Sequence, residues 1–303
     1  MWNGTLRTIF QQPDNQKYRI YEMIELQNLT KKFDDFTAVD HLNLTINTGE
    51  FFGLLGSNGA GKTTTISMIS TVLLPTEGAV LIDGEQVTRK SSAQKRKLSI
   101  VTQDYSMRQD MTMDEVMEYQ GRLYYMPRKV IRRKTDELLE FAGLIDYRRR
   151  IVRHLSGGMK RKLMICRALM TDPGIILLDE PTAGMDAFAR RQMWELLRKL
   201  QRQNITIILT THYIEEAEAL CDRVAFLHKG KLDVVDTPSN LILSLGKYAV
   251  DEATDEGQKS RFFSDRRAAI DYLDGLDPDA TASLRRTTLE DAFVERIGNR
   301  IRR

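Results

Sequence analysis

The sequence predicts an α/β fold built around a mainly parallel sheet. Three short apolar runs, FFGLLG (51–56), IILLD (175–179) and ITIILTT (205–211), alternate with stretches of helical spacing. A nearly continuous apolar run indicates a strand buried on both faces, and strands that alternate with helices are typical of parallel sheets. With 42% hydrophobic residues in 303, the chain can fill such a core.

The segment before the first apolar run has a different pattern. From Ile24 to Ile46, the alternation in IELQNL and HLNLTI predicts two antiparallel strands with one face in solvent. Further on, AVLIDGEQV (79–87) predicts a hairpin that turns at Asp83-Gly84. We therefore expect an antiparallel β subdomain beside the parallel sheet.

The middle of the chain predicts helices. Thr112 and Glu115 have the spacing of a capping box ahead of MDEVMEYQGRLYY, and a second helix is predicted from about Lys129 to Ala142. These helices predict an inserted helical subdomain over about residues 104–156.

The second half returns to the alternation of strands and helices. Ser156 begins a predicted helix, and Asp186 begins an amphipathic one that runs to Gln203. From about Asp236 the pattern breaks and charges become dense. We predict a main domain over 23–235 and a small α+β accessory region over 236–303. Residues 1–22 are predicted to be an N-terminal extension, because their mixture of charges and amides does not resemble a secretory signal.

Composition excludes several classes of protein. The 45 basic and 42 acidic residues give a net charge of +3, which is not the balance of a dedicated nucleic-acid binder. Basic clusters at 148–150 and 160–162 are better explained by a solvated face or a contact with a partner.

The apolar runs are far shorter than the ~20 residues that a membrane helix needs. Cys166 and Cys221 do not have the spacing of a disulfide framework or a zinc site, and the pattern favours two small buried side chains.

A phosphate-binding motif follows the first apolar run. Residues 56–63 match G-x-x-x-x-G-K-[ST] between a predicted strand and a predicted helix. Its glycines allow backbone N–H groups to face phosphates, and the helix start favours the same anion. Lys62 would add a charge for the β and γ phosphates, and Thr63 a hydroxyl for Mg²⁺. A phosphate ligand other than a nucleotide is the main alternative. The predicted nucleotide-binding residues of this loop are Gly56, Ser57, Asn58, Gly59, Ala60, Gly61, Lys62, Thr63 and Thr64.

Two acids end the strand IILLD. Ligands bind at the carboxyl ends of parallel strands, where Asp179 would hold Mg²⁺ through water and Glu180 would accept a proton from an attacking water. Either residue alone could instead cap the following turn.

A second glycine-rich helix start, LSGG (155–158), lies ahead of ILLDEPT (176–182). With the phosphate loop, this order resembles the nucleotide-binding domain of an ABC ATPase. The resemblance implies a P-loop NTPase core and two domains packed head to tail. In that arrangement the signature residues Leu155, Ser156, Gly157, Gly158 and Met159 of one copy would close on the ATP held by Lys62 of its partner.

The same resemblance implies roles for four further residues. Gln103 in VTQDY would sense Mg²⁺ and face the membrane partner, and His212 would be the switch histidine that contacts the γ-phosphate. Asp186 would be the D-loop aspartate, and Phe33 would stack on adenine. Each has a plainer alternative. Gln103 could be a surface residue and His212 a packed histidine. Asp186 could be a helix N-cap and Phe33 a core side chain.

The sequence departs from the commonest pattern of that family. Met159 stands where glutamine is usual, Phe33 where tyrosine is usual, and the D-loop reads AGMD where SALD is common. Because methionine cannot donate a hydrogen bond to a ribose, nucleotide contacts from residue 159 are not expected to match the usual ones. The tail LRRTTLEDAFVERIG (284–298) resembles the closing segment of ABC-2 type export ATPases, which serve drug, sodium and nodulation-factor export.

These resemblances imply an ATPase subunit that uses ATP and Mg²⁺. It would form a homodimer, or a heterodimer with a second ATP-binding subunit, and would energise a separate integral membrane permease for export. It would lie peripherally on the cytoplasmic face of the cell membrane, and no nucleic acid is expected as a partner. The alternative is a soluble ABC ATPase that acts on nucleic acid or on a protein machine.

Overall fold

A computed structural model of the chain describes residues 23–254, 257–277 and 280–298. The predicted extension over residues 1–22 lies outside the described residues. The strands are β1 (Ile24–Phe33), β2 (Phe36–Ile46), β3 (Phe51–Gly56), β4 (Glu77–Ile82), β5 (Glu85–Gln86), β6 (Leu98–Val101), β7 (Ile175–Asp179), β8 (Thr206–Thr211), β9 (Arg223–His228), β10 (Lys231–Asp236), β11 (Tyr248–Thr254), β12 (Gly257–Phe263) and β13 (Ala282–Arg286). The α-helices are α1 (Lys62–Ile69), α2 (Ser92–Arg96), α3 (Met113–Leu123), α4 (Arg128–Phe141), α5 (Gly157–Leu169), α6 (Ala187–Gln201), α7 (Ile214–Leu220), α8 (Pro238–Leu245), α9 (Arg266–Asp274) and α10 (Leu289–Phe293).

The central sheet has six strands in the order β10-β9-β3-β8-β7-β6. Its β6–β7, β7–β8, β8–β3 and β3–β9 pairs are parallel, and β10 joins the edge as an antiparallel strand. Every residue of β3, β7 and β8 is buried, as their continuous apolar runs predict. The predicted α/β class is therefore confirmed.

A second, antiparallel sheet has the order β2-β1-β4-β5. Asp83 (φ 57°) and Gly84 (φ 78°) form the predicted two-residue turn between β4 and β5, and positive φ at both positions matches a type I′ turn. Ile66 and Ile69 of α1 belong to one hydrophobic cluster with residues of this sheet and of one face of the central sheet. Helix α1 is thereby packed firmly behind the phosphate loop.

The helical insertion packs against α5, where it shares a large cluster with the other face of the central sheet. Thr112 is the N-cap of helix α3 and forms the predicted capping box with Glu115. The guanidinium of Arg148 joins α3 to α4 by ion pairs with Asp114 (2.9 Å) and Asp136 (2.7 Å).

The C-terminal region forms a three-stranded antiparallel sheet, β12-β11-β13, with α9. Helix α10 packs against α7 and α8, and Leu289 and Ala292 are buried in the large cluster. The ring of Phe293 lies 5.1 Å from that of Phe226 in β9. The end of the described chain thus packs on the central sheet, and the division into domains stays a prediction.

Candidate nucleotide site

Three adjoining strand ends carry most of the predicted site. Strand β8 lies between β3 and β7, and the register aligns Leu55 with Thr211 and Asp179 with Thr210. The phosphate loop, the acidic pair and His212 follow these three strands, so the sheet brings their side chains to one edge.

The phosphate loop is tightly curved at Gly61. This residue caps α1 with φ 101°, and a Cβ atom there would lie 2.5 Å from the carbonyl oxygen of Ala38 in β2. Only glycine suits this position, because both the dihedral angle and the space exclude a side chain. Gly59 also has a positive φ of 78°, but among the described residues no heavy atom beyond its chain neighbours lies within 4 Å of its hypothetical Cβ.

The ammonium group of Lys62 lies within the loop. It donates hydrogen bonds to the carbonyl oxygens of Gly56 (2.9 Å) and Ser57 (3.3 Å). Burial lowers the pKa of Lys62, and the nearby carboxylates of Glu180 and Asp179 oppose that shift. The buried ammonium is therefore incompletely solvated, and a bound polyanion would stabilise it.

Thr63 and Asp179 present oxygen atoms to the same space. The hydroxyl of Thr63 donates to the Asp179 carboxylate at 3.2 Å, and the Thr210 hydroxyl donates to the same oxygen atom. Hydroxyl and carboxylate oxygens are the ligands that Mg²⁺ prefers, so this pair fits the cation.

Glu180 contacts both sides of the site. Its carboxylate lies 4.0 Å from the Lys62 ammonium and 2.6 Å from Nδ1 of His212. Glu180 is 8% exposed and has a positive φ of 50°, which a non-glycine residue rarely adopts. Its backbone N–H donates to the carbonyl oxygen of Thr210 at 3.0 Å. The backbone after β7 is thus turned so that the carboxylate of Glu180 lies close to both Lys62 and His212.

The LSGG residues belong to a different surface. Ser156 caps α5 by accepting a hydrogen bond from the backbone N–H of Met159 at 3.2 Å. Ser156, Gly157, Gly158 and Met159 line a groove of about 320 Å³. Asp186 lines the same groove, whose described lining includes no residue of the phosphate loop. Leu155 is buried in the large hydrophobic cluster.

Asp186 also fulfils its plainer alternative. Its carboxylate accepts from the backbone N–H of Ala189 at 2.8 Å and so caps α6. The N-cap does not exclude a second role, because α6 begins in the groove that the LSGG residues line.

Gln103 and Phe33 do not belong to the cluster of side chains around Lys62 and Glu180. The side chain of Gln103 is exposed, and within the described ranges it makes no hydrogen bond to Thr63 or Asp179. Phe33 is 44% exposed at the end of β1, with the Lys31 ammonium 5.0 Å from its ring centroid. The core alternative for Phe33 is therefore wrong, and its role in adenine stacking stays a prediction.

Sequence reasoning missed Arg161. The interpretation of 160–162 as a solvated face or a partner contact is wrong for this residue, which is 2% exposed. Its guanidinium donates to the carbonyl oxygens of Thr102 (2.5 Å) and Gln103 (2.8 Å), and so ties the backbone at Gln103 to the second turn of α5. The basic run that contains Arg161 carries no local signal of burial.

Comparison with known proteins supports this architecture. Residues 39–183 match the ABC transporter family. The chain is 37% identical over 233 residues to Nod factor export ATP-binding protein I of Ralstonia nicotianae. The matched region covers 77% of this chain and 73% of that relative.

Solved structures agree. CbiO1 from Clostridium perfringens, part of the ABC transporter complex cbiONQ, has a TM-score of 0.68 and 27% identity, covering 73% of this chain and 90% of that one. A dimeric ATP-binding cassette in a post-hydrolysis state, bound to ADP and Pi, has a TM-score of 0.63 and 29% identity. The match covers 71% of this chain and 98% of that one. The fold, the order of its motifs and these likenesses together show that the chain belongs to the ABC transporter family, as one of its ATP-binding subunits.

Proposed function

We propose that this chain hydrolyses ATP at composite sites between two ATP-binding subunits and thereby energises a separate integral membrane permease for export. The strongest support is the closeness of Glu180 to both His212 and Lys62, since the proposed base, the proposed switch side chain and the proposed phosphate-binding cation then lie around one space. No described helix is long and apolar enough to span a bilayer. From the relatives that are ATP-binding subunits of transporters, we propose a peripheral position on the cytoplasmic face of the membrane.

In the proposed reaction, the phosphate loop binds the β and γ phosphates of ATP. The ammonium of Lys62 exchanges its carbonyl contacts for phosphate oxygens. Glu180 accepts a proton from the attacking water, and His212, hydrogen-bonded to Glu180, contacts the γ-phosphate. Thr63 and Asp179 would hold Mg²⁺, which supplies charge neutralisation at the phosphates.

The second half of each site comes from the other subunit. Ser156, Gly157 and Gly158 lie at a helix start beside a groove, and a helix start presents backbone N–H groups and a positive dipole end to an anion. The relative bound to ADP and Pi is a dimeric cassette, which supports the same arrangement here. Gln103, next to the helical insertion, is proposed to report nucleotide state to the permease, and Phe33 to stack on adenine.

Export is proposed from the relatives. The similar proteins from Ralstonia nicotianae and Burkholderia lata are named as Nod factor export ATP-binding proteins. A permease partner is supported by the Clostridium perfringens relative, which is part of a transporter complex.

Mixing two inactive variants tests the composite site. Lys62→Met removes the phosphate-binding charge, and Ser156→Arg blocks the helix start, so each variant alone should lose ATP hydrolysis. Half of random dimers are mixed and each has one intact site, so we expect a mixture to recover about a quarter of the wild-type rate. No recovery, with both variants folded and able to form mixed dimers, would contradict sites shared between two copies of this chain.

Two further measurements complete the test. Glu180→Gln should reduce the rate of phosphate release by ~10²–10⁴-fold while leaving ATP binding intact, because it removes the proposed general base. Addition of the purified, co-extracted permease in detergent should raise the wild-type rate. An unchanged rate with every integral membrane protein that co-purifies would favour the soluble alternative.

A further inference from the structure

Glu216 is a buried carboxyl group beside the nucleotide site that no step of the proposed hydrolysis uses. It lies on α7, four residues after His212, and is 0% exposed. Buried acidic side chains without an ion-pair partner are uncommon, because desolvation of the charged form is costly.

Three segments converge on this carboxyl group. The indole N–H of Trp194 in α6 donates to its Oε1 at 3.1 Å. The side chains of Thr182 and Thr211, both fully buried, lie close enough to influence its ionisation. Thr182 follows Glu180 by two residues, and Thr211 immediately precedes His212. Glu216 therefore lies where the loop of the proposed base, the strand end of the proposed switch and the helix that begins at the D-loop meet, and it is hydrogen-bonded to that helix.

The surroundings of Glu216 favour its neutral form. Burial raises the pKa of the carboxyl group, the Thr211, Thr182 and Trp194 side chains oppose that shift, and the negative charge of Glu180 adds to it. Within the described ranges, no basic side chain forms an ion pair with Glu216, and Arg190 on the facing helix is paired with Glu215 instead.

Hydrogen bonding leads to the same conclusion. Oε2 of Glu216 and Oγ1 of Thr182 are both buried, and neither has a partner in hydrogen-bonding geometry among the described residues. An ionised carboxylate can only accept and needs several donors to offset its desolvation, whereas a carboxylic acid provides a donor of its own. One N–H donor from Trp194 suits the neutral acid.

On the basis of the proposed function, we propose that Glu216 is a positioning residue for ATP hydrolysis, a neutral carboxylic acid that holds the loop of Glu180 against the strand end of His212. The carboxyl group is fully buried, so its proposed role is to position other groups and not to contact the reactants. Its effect is to keep the carboxylate of Glu180 and the imidazole of His212 in the contact that the reaction uses.

The test compares a neutral polar replacement with an apolar one of similar length. Glu216→Gln keeps the oxygen atom that accepts from Trp194 and, like a neutral carboxylic acid, carries a donor at the other position, so we expect its kcat to stay within about twofold of wild type. Glu216→Met cannot, and misplacement of Glu180 should lower kcat at least tenfold, with the KM for ATP changed less than about threefold. Trp194→Phe, which removes only the indole donor, should give a smaller loss of kcat in the same direction.

Hydrogen exchange of the backbone at 180–184 and 210–213 provides a readout that does not need activity. Exchange should rise in Glu216→Met and stay at the wild-type level in Glu216→Gln. Equal losses of kcat in both variants would overturn the proposal, since they would mean that an ionised carboxylate is needed. Full activity of Glu216→Met would also overturn it.

The Glu180→Gln control separates the two levels of inference. If wild type and Glu180→Gln are equally inactive, the proposed hydrolysis fails. In that case the exchange data alone decide whether Glu216 holds the two segments together, and unchanged exchange in Glu216→Met refutes it.

Discussion

A methyl group at residue 61 tests whether the phosphate loop depends on glycine for its curvature. The φ of 101° would strain any other residue by about 1–3 kcal/mol. The new Cβ would also lie 2.5 Å from the Ala38 carbonyl oxygen and 3.2 Å from Cγ2 of Val39. Both neighbours belong to β2, which is held in its sheet, so overpacking should add about 1–3 kcal/mol. We expect Gly61→Ala to lower the free energy of unfolding by about 4 kcal/mol in total.

Gly59→Ala is the matched control in the same loop. Gly59 has a similar positive φ of 78°, but its hypothetical Cβ has no heavy atom within 4 Å in the part of the chain that the structure describes, its sequence neighbours aside. Only the backbone strain remains, so the expected cost is about 1–2 kcal/mol.

Urea unfolding of the nucleotide-free variants measures both losses, with a thermal shift of about 2–4 °C for each kcal/mol. Equal destabilisation by the two substitutions would refute the steric argument. A loss below about 1 kcal/mol for Gly61→Ala would refute the strain argument as well.

Three further predictions concern charged groups. Because burial disfavours the charged form of Lys62, Lys62→Met should change the unfolding free energy of the nucleotide-free chain by at most about 1 kcal/mol, yet abolish the thermal stabilisation by Mg-ATP. Arg161→Met should lower the free energy of unfolding by about 2–3 kcal/mol and raise hydrogen exchange at 102–104. Arg161→Lys should not restore the lost stability, because only the guanidinium fork reaches both carbonyl oxygens. Although burial raises the pKa of Asp251, hydrogen bonds from Arg285 and Ser260 bring it below its ordinary value. The stability that this depressed pKa provides is present above about pH 4 and is lost as the pH falls through the pKa of the folded state. In urea unfolding, the difference in midpoint between wild type and Asp251→Asn should therefore shrink on acidification.

Contiguous motifs made much of the site predictable. The phosphate loop, the DE pair and the LSGG helix start each combine a local backbone shape with a chemical group, so their residues are adjacent in sequence. The caps at Thr112, Ser156 and Asp186 were predictable for the same reason, since a cap involves residues three positions apart.

Contacts between distant segments were not predictable. Arg161 lies in a basic run that is typical of a surface, and only the fold shows that its guanidinium lies beneath Gln103. Glu216 lies in the acidic stretch IEEAEAL, where nothing local distinguishes its buried side chain from exposed Glu215. The sequence-based prediction assigned no element to residues 213–236, yet these form α7, β9 and β10. Short apolar runs between charges do not distinguish a sheet-edge strand from a loop.

The charges of the two half-sites explain why hydrolysis should separate the subunits of the proposed dimer. One half presents the partly desolvated ammonium of Lys62, and the other presents the positive end of α5 at Ser156. Two positive groups do not attract each other, so closure of the proposed dimer would need an anion between them, and we propose that the γ-phosphate provides it. Once that phosphate has been cleaved, with Glu180 as the proposed base, and the product has left, the two halves would face each other without their common ligand. The free energy that favoured closure is then lost, and the separation of the subunits is the movement that a permease can use.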